Sequence, residues 1–328
     1  MGRVNRMKRF ENILCVLGPD EESEATLERA VALAENNQSQ LTVVEVIPAV
    51  TAGIGMPDGG PISVDLQAAM KADRMQTLES FTRRYEKRVK IGLDVLMGTG
   101  FLQIIRSVLR NGHDLVIKAA ENPNFIERLF GSDDMHLLRK CPCPLWLTKP
   151  GDKPNYSCIL AAVDVAQQES DIEHGDLNRR ILEIASSLAL SDFAALHLVH
   201  AWDAPGEMTV RAWGDDPDSA AFSYVEGERS RHQRGLDQLR DQLKGQLGAE
   251  AYGYLSPRFH LQRGAASNVV PESAKELQAD LVVMGTVART GISGLFIGNT
   301  AEAILEQVRC SVLAIKPSGF VSPVKLAE

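Results

Sequence analysis

The 328-residue sequence predicts an α/β protein made of two tandem copies of one domain. Each copy is expected to be a Rossmann-like, doubly wound, five-stranded parallel sheet. Three observations lead there. At roughly 150 residues per domain, the length corresponds to about two domains. Three sequence anchors recur in the same order in the two halves. Within each half, short apolar runs alternate with helical patterns.

The first anchor is Ile13-Leu14-Cys15-Val16-Leu17-Gly18, which returns as Ile159-Leu160-Ala161-Ala162-Val163-Asp164. The second is Asp114-Leu115-Val116-Ile117-Lys118, matched by Asp280-Leu281-Val282-Val283-Met284. The third runs from Cys143 to Pro150 and again from Cys310 to Pro317. The halves meet at Pro150-Gly151-Asp152-Lys153-Pro154, a breaker cluster. The expected domains are therefore 1–152 and 153–328.

Strand-like runs fall at 12–17, 41–47, about 93–97, 114–119 and 144–149 in the first half. In the second they fall at 158–163, 193–200, about 258–263, 280–285 and 311–316. They are continuous rather than alternating, as strands covered on both faces are. Leu27, Ala30, Val31 and Ala34 share one helix face, as do Leu177, Ile181, Ile184, Ala185 and Leu188. Parallel strands need such crossover helices. Each half also carries a Gly/Pro-containing insert, at 48–63 and 203–220, read as a surface loop. Long polar helices are expected after them, near 64–88 and 223–245.

Composition excludes several classes. Hydrophobic residues make up 44% and charged residues 24%, near the average for globular chains. No apolar run approaches the ~18 residues of a membrane span. The basic start (Arg3, Arg6, Lys8, Arg9) lacks the apolar core of a secretory signal. Five cysteines do not suggest a disulfide framework, so a cytoplasmic location is expected. Residues 1–153 hold 20 Lys+Arg and 20 Asp+Glu, whereas 154–328 hold 15 and 23, so the net −8 sits in the second half. That balance argues for solubility and against a nucleic-acid footprint.

Ligands of open α/β sheets bind beyond the carboxyl ends of the strands. In the second half Asp164 ends the first strand and Gly285 the fourth. A loop then leads to Gly298-Asn299-Thr300-Ala301-Glu302 at a helix start. Asn299 is expected as the N-cap, with Glu302 three residues later completing a capping box. The first turn of such a helix offers unsatisfied N–H groups to a phosphate.

With the repeat, this loop resembles the universal stress protein family in its tandem, two-domain form, from about Phe10 to Pro317. Nucleotide-binding members carry Gly, two residues, Gly, nine residues, Gly, then Ser or Thr. Here the spacing is kept by Gly285, Ala288, Gly298 and Asn299, with alanine and asparagine as departures and Thr300 one residue later. The resemblance implies that Ala162 and Asp164 meet adenine and ribose, and that Leu198 lines the base pocket. It implies that Met284, Gly285, Val287 and Ala288 hold ribose and the first phosphates. Gly298, Asn299, Thr300 and Ala301 then hold the outer phosphates. The implied ligand is an adenine nucleotide, ATP, with Mg2+ as an accompanying ion. The implied role is a stress-response regulator, including resistance to DNA-damaging agents. The last strand of each domain is expected to pair with the other as an intramolecular pseudo-dimer, with a homodimer as a further expectation.

The first half departs further. Gly18 stands where Asp164 stands, and Ala119-Ala120 replaces Gly285-Thr286. Asp133 and Asp134 follow Gly131-Ser132 and are expected to repel a phosphate, so this half is expected not to bind ATP well. Arg263 and Arg289 are read as surface arginines near the edge. His197 and His200 point to opposite strand faces and cannot easily share a metal. Cys141 and Cys143 are read as small buried side chains, because two thiols do not make a zinc site. Gly98-Thr99-Gly100 is read as a turn. No P-loop, HExxH or GxSxG motif occurs, and no acid/base pair stands out, so a binder is expected rather than an enzyme. Two alternatives stay open: a scaffold for a lipid or other small molecule, and a slow ATPase of the adenine-nucleotide α-hydrolase-like group.

Overall fold

The computed structural model describes residues 10–18, 23–49, 61–121, 130–149, 151–153, 155–165, 172–213, 216–286 and 297–326. Among these, two compact units separate. One takes the residues up to Asn155 and the C-terminal segment from Phe320; the other takes Tyr156 to Gly319.

Unit 1 contains β1 (Asn12–Leu17), α1 (Ser23–Asn37), β2 (Gln40–Ile47), α2 (Pro61–Thr82), β3 (Ile91–Met97), α3 (Gly100–Asn111), β4 (Leu115–Ala119), α4 (Ser132–Lys140) and β5 (Leu145–Thr148). Its strands lie in the order β3-β2-β1-β4-β5, and every pair is parallel. Unit 2 contains β6 (Cys158–Ala162), α5 (Ile172–Asp192), β7 (Ala195–Trp202), α6 (Glu207–Trp213), α7 (Pro217–Leu255), β8 (Arg258–Arg263), α8 (Ala266–Glu276), β9 (Leu281–Gly285), α9 (Asn299–Gln307) and β10 (Ser311–Ile315). Its order, β8-β7-β6-β9-β10, repeats that of unit 1 with parallel pairing throughout. The chain reverses direction across each sheet between the first and fourth strands. A switch-point crevice therefore opens beyond their carboxyl ends.

Strands foreseen as continuous apolar runs are covered on both faces. Ile13, Leu14 and Cys15 of β1 and Leu281, Val282 and Val283 of β9 have no exposed surface. The helix face Leu27, Ala30, Val31 and Ala34 is equally closed. Two expectations need correction. The insert at 203–220 contains α6 and the start of α7, because Pro217 at the first turn and the Asp216 side chain, accepting from Ser219 N–H, start a helix there. The helix expected at 223–245 extends to Leu255 across a kink at Gly248, whose φ of +78° is open to glycine. Residues 50–60 of the first insert lie outside the described residues. The Gly98 turn has φ +130°, also a glycine conformation.

The repeated aspartates have a structural cause. Asp114, just before β4, accepts the Glu11 and Asn12 amides at 2.6 and 3.1 Å. Asp280, just before β9, accepts the Ser157 and Cys158 amides at 2.7 and 3.0 Å. Each carboxylate fastens the start of the unit's first strand to its fourth, the two strands that flank the crevice. Asp114→Ala and Asp280→Ala each strand two amide donors. Each is expected to lower unfolding free energy by about 1–3 kcal/mol, read as a shifted urea midpoint. Asparagine, whose one oxygen still accepts, is expected to cost less, and least at position 280, where both amides meet the same oxygen.

Candidate functional site

In unit 2 one helix sets the floor of the crevice. Asn178 of α5, itself buried, accepts the Asp164 amide at 3.2 Å and donates to the Asp164 carbonyl at 2.6 Å. Its neighbour Leu177 lies over Gly285, where an added Cβ would come within 2.7 Å of the leucine methyl. Arg180 donates to the Lys316 carbonyl beyond β10 at 2.8 Å. Three residues of α5 thus touch the ends of β6, β9 and β10. The register Ala161↔Val283, extended two residues, sets Val163 level with Gly285. Asp164 therefore follows directly beside the glycine, as the crevice requires.

The Val163 carbonyl is held from the other side. It accepts from His200 Nδ1 at 3.1 Å, and His200 Nε2 meets His232 Nδ1 at 2.8 Å. A carbonyl only accepts, so Nδ1 carries the His200 proton. Both rings are buried. His232 lies on α7, which also approaches the strand end at Gly235, where a Cβ would sit 2.8 Å from Val165 Cβ. His197 faces away from His200, as alternation demands, and bonds His260 at 2.9 Å in a stacked pair. Burial holds both of those imidazoles below the ordinary histidine range, with the like charge of His260 a second cause at His197.

Beyond β9, Thr286 N–H donates to Ile315 O at 3.2 Å, and Gly298 N–H returns to Thr286 O at 3.0 Å. Here the expected cap is corrected. Gly298, with φ −66° and ψ 142°, is the N-cap of α9, and Glu302 N–H bonds its carbonyl at 2.9 Å. Asn299 is already helical, which moves Glu302 out of the capping-box position. The N-cap glycine makes no side-chain cap bond. Asn299 and Thr300 are exposed at its open end, and Ala301 is buried. The Thr286 hydroxyl is buried without a hydrogen-bond partner among the described residues. An uncapped helix start beside an unsatisfied hydroxyl suits an anion with acceptor oxygens.

The structure brings Ala162, Asp164, Met284, Gly285 and Gly298–Ala301 to this one sheet edge. Leu198 lies elsewhere. It has no exposed surface and pairs with Ala161 in mid-strand, so it belongs to the core; extending the register of β6 and β7 sets Ala201 level with Asp164. Val287, Ala288 and Arg289 lie outside the described residues. Arg263 pairs with Glu207 and stacks over Trp202, 5.7 Å from the ring centroid. Asn178 was not singled out in the sequence, His200 was weighed there only as a metal ligand, and Thr286 was named only as the neighbour of Gly285. A polar residue on an otherwise apolar helix face was the one signal that could have found Asn178.

Unit 1 fills the same place with its own carboxylate. Asp134, fully buried at the third position of α4, accepts the Glu121 amide at 2.7 Å and the Gly131 amide at 3.2 Å. Its other oxygen accepts from Lys118 Nζ at 2.8 Å. Asp133 accepts the Phe101 amide at the start of α3 at 3.2 Å. A carboxylate thus lies buried beside the start of α4, bound to the amides of Glu121 and of the N-cap Gly131. Asp134→Ala leaves Lys118, only 14% exposed, without its main counter-charge. It is expected to destabilise the protein by about 3–5 kcal/mol in urea or thermal unfolding. The double change Lys118→Met with Asp134→Leu is expected to recover only the part due to the lost counter-charge, because leucine still leaves the Glu121 and Gly131 amides unpaired.

The comparisons agree over nearly the whole chain. The sequence pattern of the Universal stress protein family matches residues 9–149 and 156–316. Universal stress protein E of Escherichia coli K12 is 31% identical over 331 residues, covering 98% of this chain and 99% of that one. A Universal stress protein E homolog of Haemophilus influenzae is 30% identical, covering 94% and 98%. Among solved structures, a functionally unknown protein of Pseudomonas aeruginosa PAO1 aligns at TM-score 0.68 and 27% identity, covering 96% of both chains. A universal stress protein of Archaeoglobus fulgidus aligns at TM-score 0.61 and 14% identity over 93% of this chain and 98% of that one, a likeness of fold alone. No described helix is long and apolar enough to cross a membrane. With both halves matched by the family pattern and its relatives aligned end to end, the chain belongs to the Universal stress protein family, a family with a stress-response role.

Proposed function

We propose that unit 2 binds an adenine nucleotide, ATP, and that occupancy of this site makes the protein a regulator in a stress response rather than an enzyme. The observation that carries this reading is the contrast between the two helix starts. At the start of α9 Asn299 and Thr300 are exposed and the third residue is Ala301, whereas the third residue of α4 is Asp134, a buried carboxylate bound to the Gly131 and Glu121 amides. In the proposed complex Asp164, fixed by Asn178, faces ribose and adenine with Ala162. Met284, Gly285, Val287 and Ala288 follow the ribose and first phosphates. The outer phosphates, with Mg2+ as their counter-ion, lie against Gly298, Asn299, Thr300 and Ala301. Backbone N–H groups and the helix dipole supply the anion attraction there. Leu198 has no part in this contact surface.

A cytoplasmic location, support of resistance to DNA-damaging agents, and pairing of the last strands within a chain or between two copies belong to the same proposal. They rest on family resemblance.

The test is calorimetric titration of purified protein with ATP, with mass spectrometry of any retained ligand. Asp164→Ala is expected to weaken binding at least tenfold, or about 1.4 kcal/mol. Gly298→Val is expected to abolish it. The glycine's φ of −66° is open to valine, so bulk is added at the phosphate position without backbone strain. A retained lipid or other metabolite with no affinity at millimolar ATP contradicts the reading, and rapid ATP turnover favours an enzyme instead.

A further inference from the structure

Cys141 and Cys143 flank Pro142 between α4 and β5, and their Sγ atoms lie 3.6 Å apart. Cys141 has no exposed surface, and Cys143 is 7% exposed. All five cysteines are thiols in this structure. Van der Waals contact between two side chains explains burial, but it does not explain why both are sulfur. The internal repeat supplies a comparison. Cys143 corresponds to Cys310, and Cys141 corresponds to Val308. The backbone is the same at both places: Cys141 caps α4 with φ −68° and ψ 130°, and Val308 caps α9 with φ −66° and ψ 147°. Each cap amide bonds the carbonyl four residues back, at 2.8 and 3.0 Å. A valine therefore fills this position without disturbing the turn, and packing alone does not require a second thiol in unit 1.

We propose that Cys141 and Cys143 form a reversible intramolecular disulfide, making this turn an oxidation site of unit 1 with a hydroperoxide as oxidant. The chain bends at Pro142 and Cys143, which keeps the two side chains on one side of the turn. Closing the bond draws the sulfurs from 3.6 Å to about 2.0 Å. Cys143 is the one with exposed surface and reacts first. Its sulfur attacks the outer oxygen of the hydroperoxide, the O–O bond breaks, and the alcohol leaves with the thiol proton. The resulting Cys143 sulfenic acid is then attacked by Cys141 Sγ. The S–O bond breaks, and its hydroxide departs as water with the second thiol proton. Two thiols and one hydroperoxide thus give one disulfide, one alcohol and one water.

The site is gated. The hydrogen bond to Cys141 and burial push the Cys143 thiol well above its ordinary range, so little thiolate is present in the closed turn. The C-terminal segment adds a strap, with Ser322 Oγ donating to the Lys140 carbonyl at 2.7 Å, one residue before Cys141. Reaction accordingly proceeds through transient opening of the turn.

The experiment exposes the full-length folded protein to hydrogen peroxide, removes the peroxide, unfolds the chain in guanidinium, alkylates the remaining thiols, and maps peptides by mass spectrometry. The expected result is loss of two hydrogens, about 2 Da, confined to residues 141–143 and reversed by dithiothreitol. Cys15, Cys158 and Cys310 stay alkylatable. Cys141→Val, which copies the second repeat, is expected to remove the loss while circular dichroism stays unchanged; Cys141→Ala serves the same purpose should valine perturb the turn. Two results overturn the proposal. One is full alkylation of both thiols after peroxide treatment of the folded chain, under conditions that oxidise the guanidinium-unfolded chain. The other is oxidation of wild-type Cys143 to a sulfinic acid or an intermolecular disulfide in place of the 141–143 bond.

Discussion

The start of the helix that follows the fourth strand must satisfy backbone N–H groups at the mouth of a switch-point crevice, and this one requirement organises both units. An anion is the natural partner, because the aligned peptide dipoles place partial positive charge there. Unit 1 answers with Asp134, which takes two amides and the Lys118 ammonium. Unit 2 has Ala301 in the place of Asp134, and its N-cap Gly298 makes no side-chain cap bond. In the proposed reading a phosphate stands in unit 2 where unit 1 keeps this carboxylate, so the two copies of a single fold differ in what they hold. The remaining differences fit this divide. Where unit 2 has Asp164, clamped by Asn178, unit 1 has Gly18.

What the two units share is the part of the sequence that builds the sheet. Asp114 and Asp280 recur because each ties the first strand to the fourth through two amides. That bond is indifferent to any ligand, so duplication preserves it in both copies. The crevice is a consequence of strand order, and strand order is fixed by these central pairs. Its contents depend on side chains at the strand ends, which carry little of the core.

Much of the fold was legible because buried parallel strands write themselves as unbroken apolar runs. The strands beginning at Asn12, Cys158 and Ser311 were placed to within a residue at either end. Helix α6 was hidden in an insert because none of its residues is buried, leaving no apolar periodicity to read. Gly285 and Gly298 were placed at this edge through glycine spacing, and Asp164 as the residue that ends an apolar run. Leu198 was misplaced because a resemblance transfers positions along the chain, whereas depth in the sheet depends on register. The N-cap was shifted by one residue because asparagine is the better capper in general, yet the Gly298 carbonyl takes the first helical bond. The Lys118–Asp134 pair could not be found by pattern. Sequence shows two adjacent aspartates as charge, and only the fold shows that one of them points inward to bind its own backbone.

On the proposed reading a phosphate enters at the start of α9 and not at that of α4. The most direct measurement is the backbone amide NMR spectrum of the full chain during titration with ATP. Asn299, Thr300 and Ala301 are predicted to shift progressively and saturate, while Ser132, Asp133 and Asp134 stay in place. Shifts at Ser132–Asp134 with none at Asn299–Ala301, or no shift at either helix start at millimolar ATP, would contradict the account.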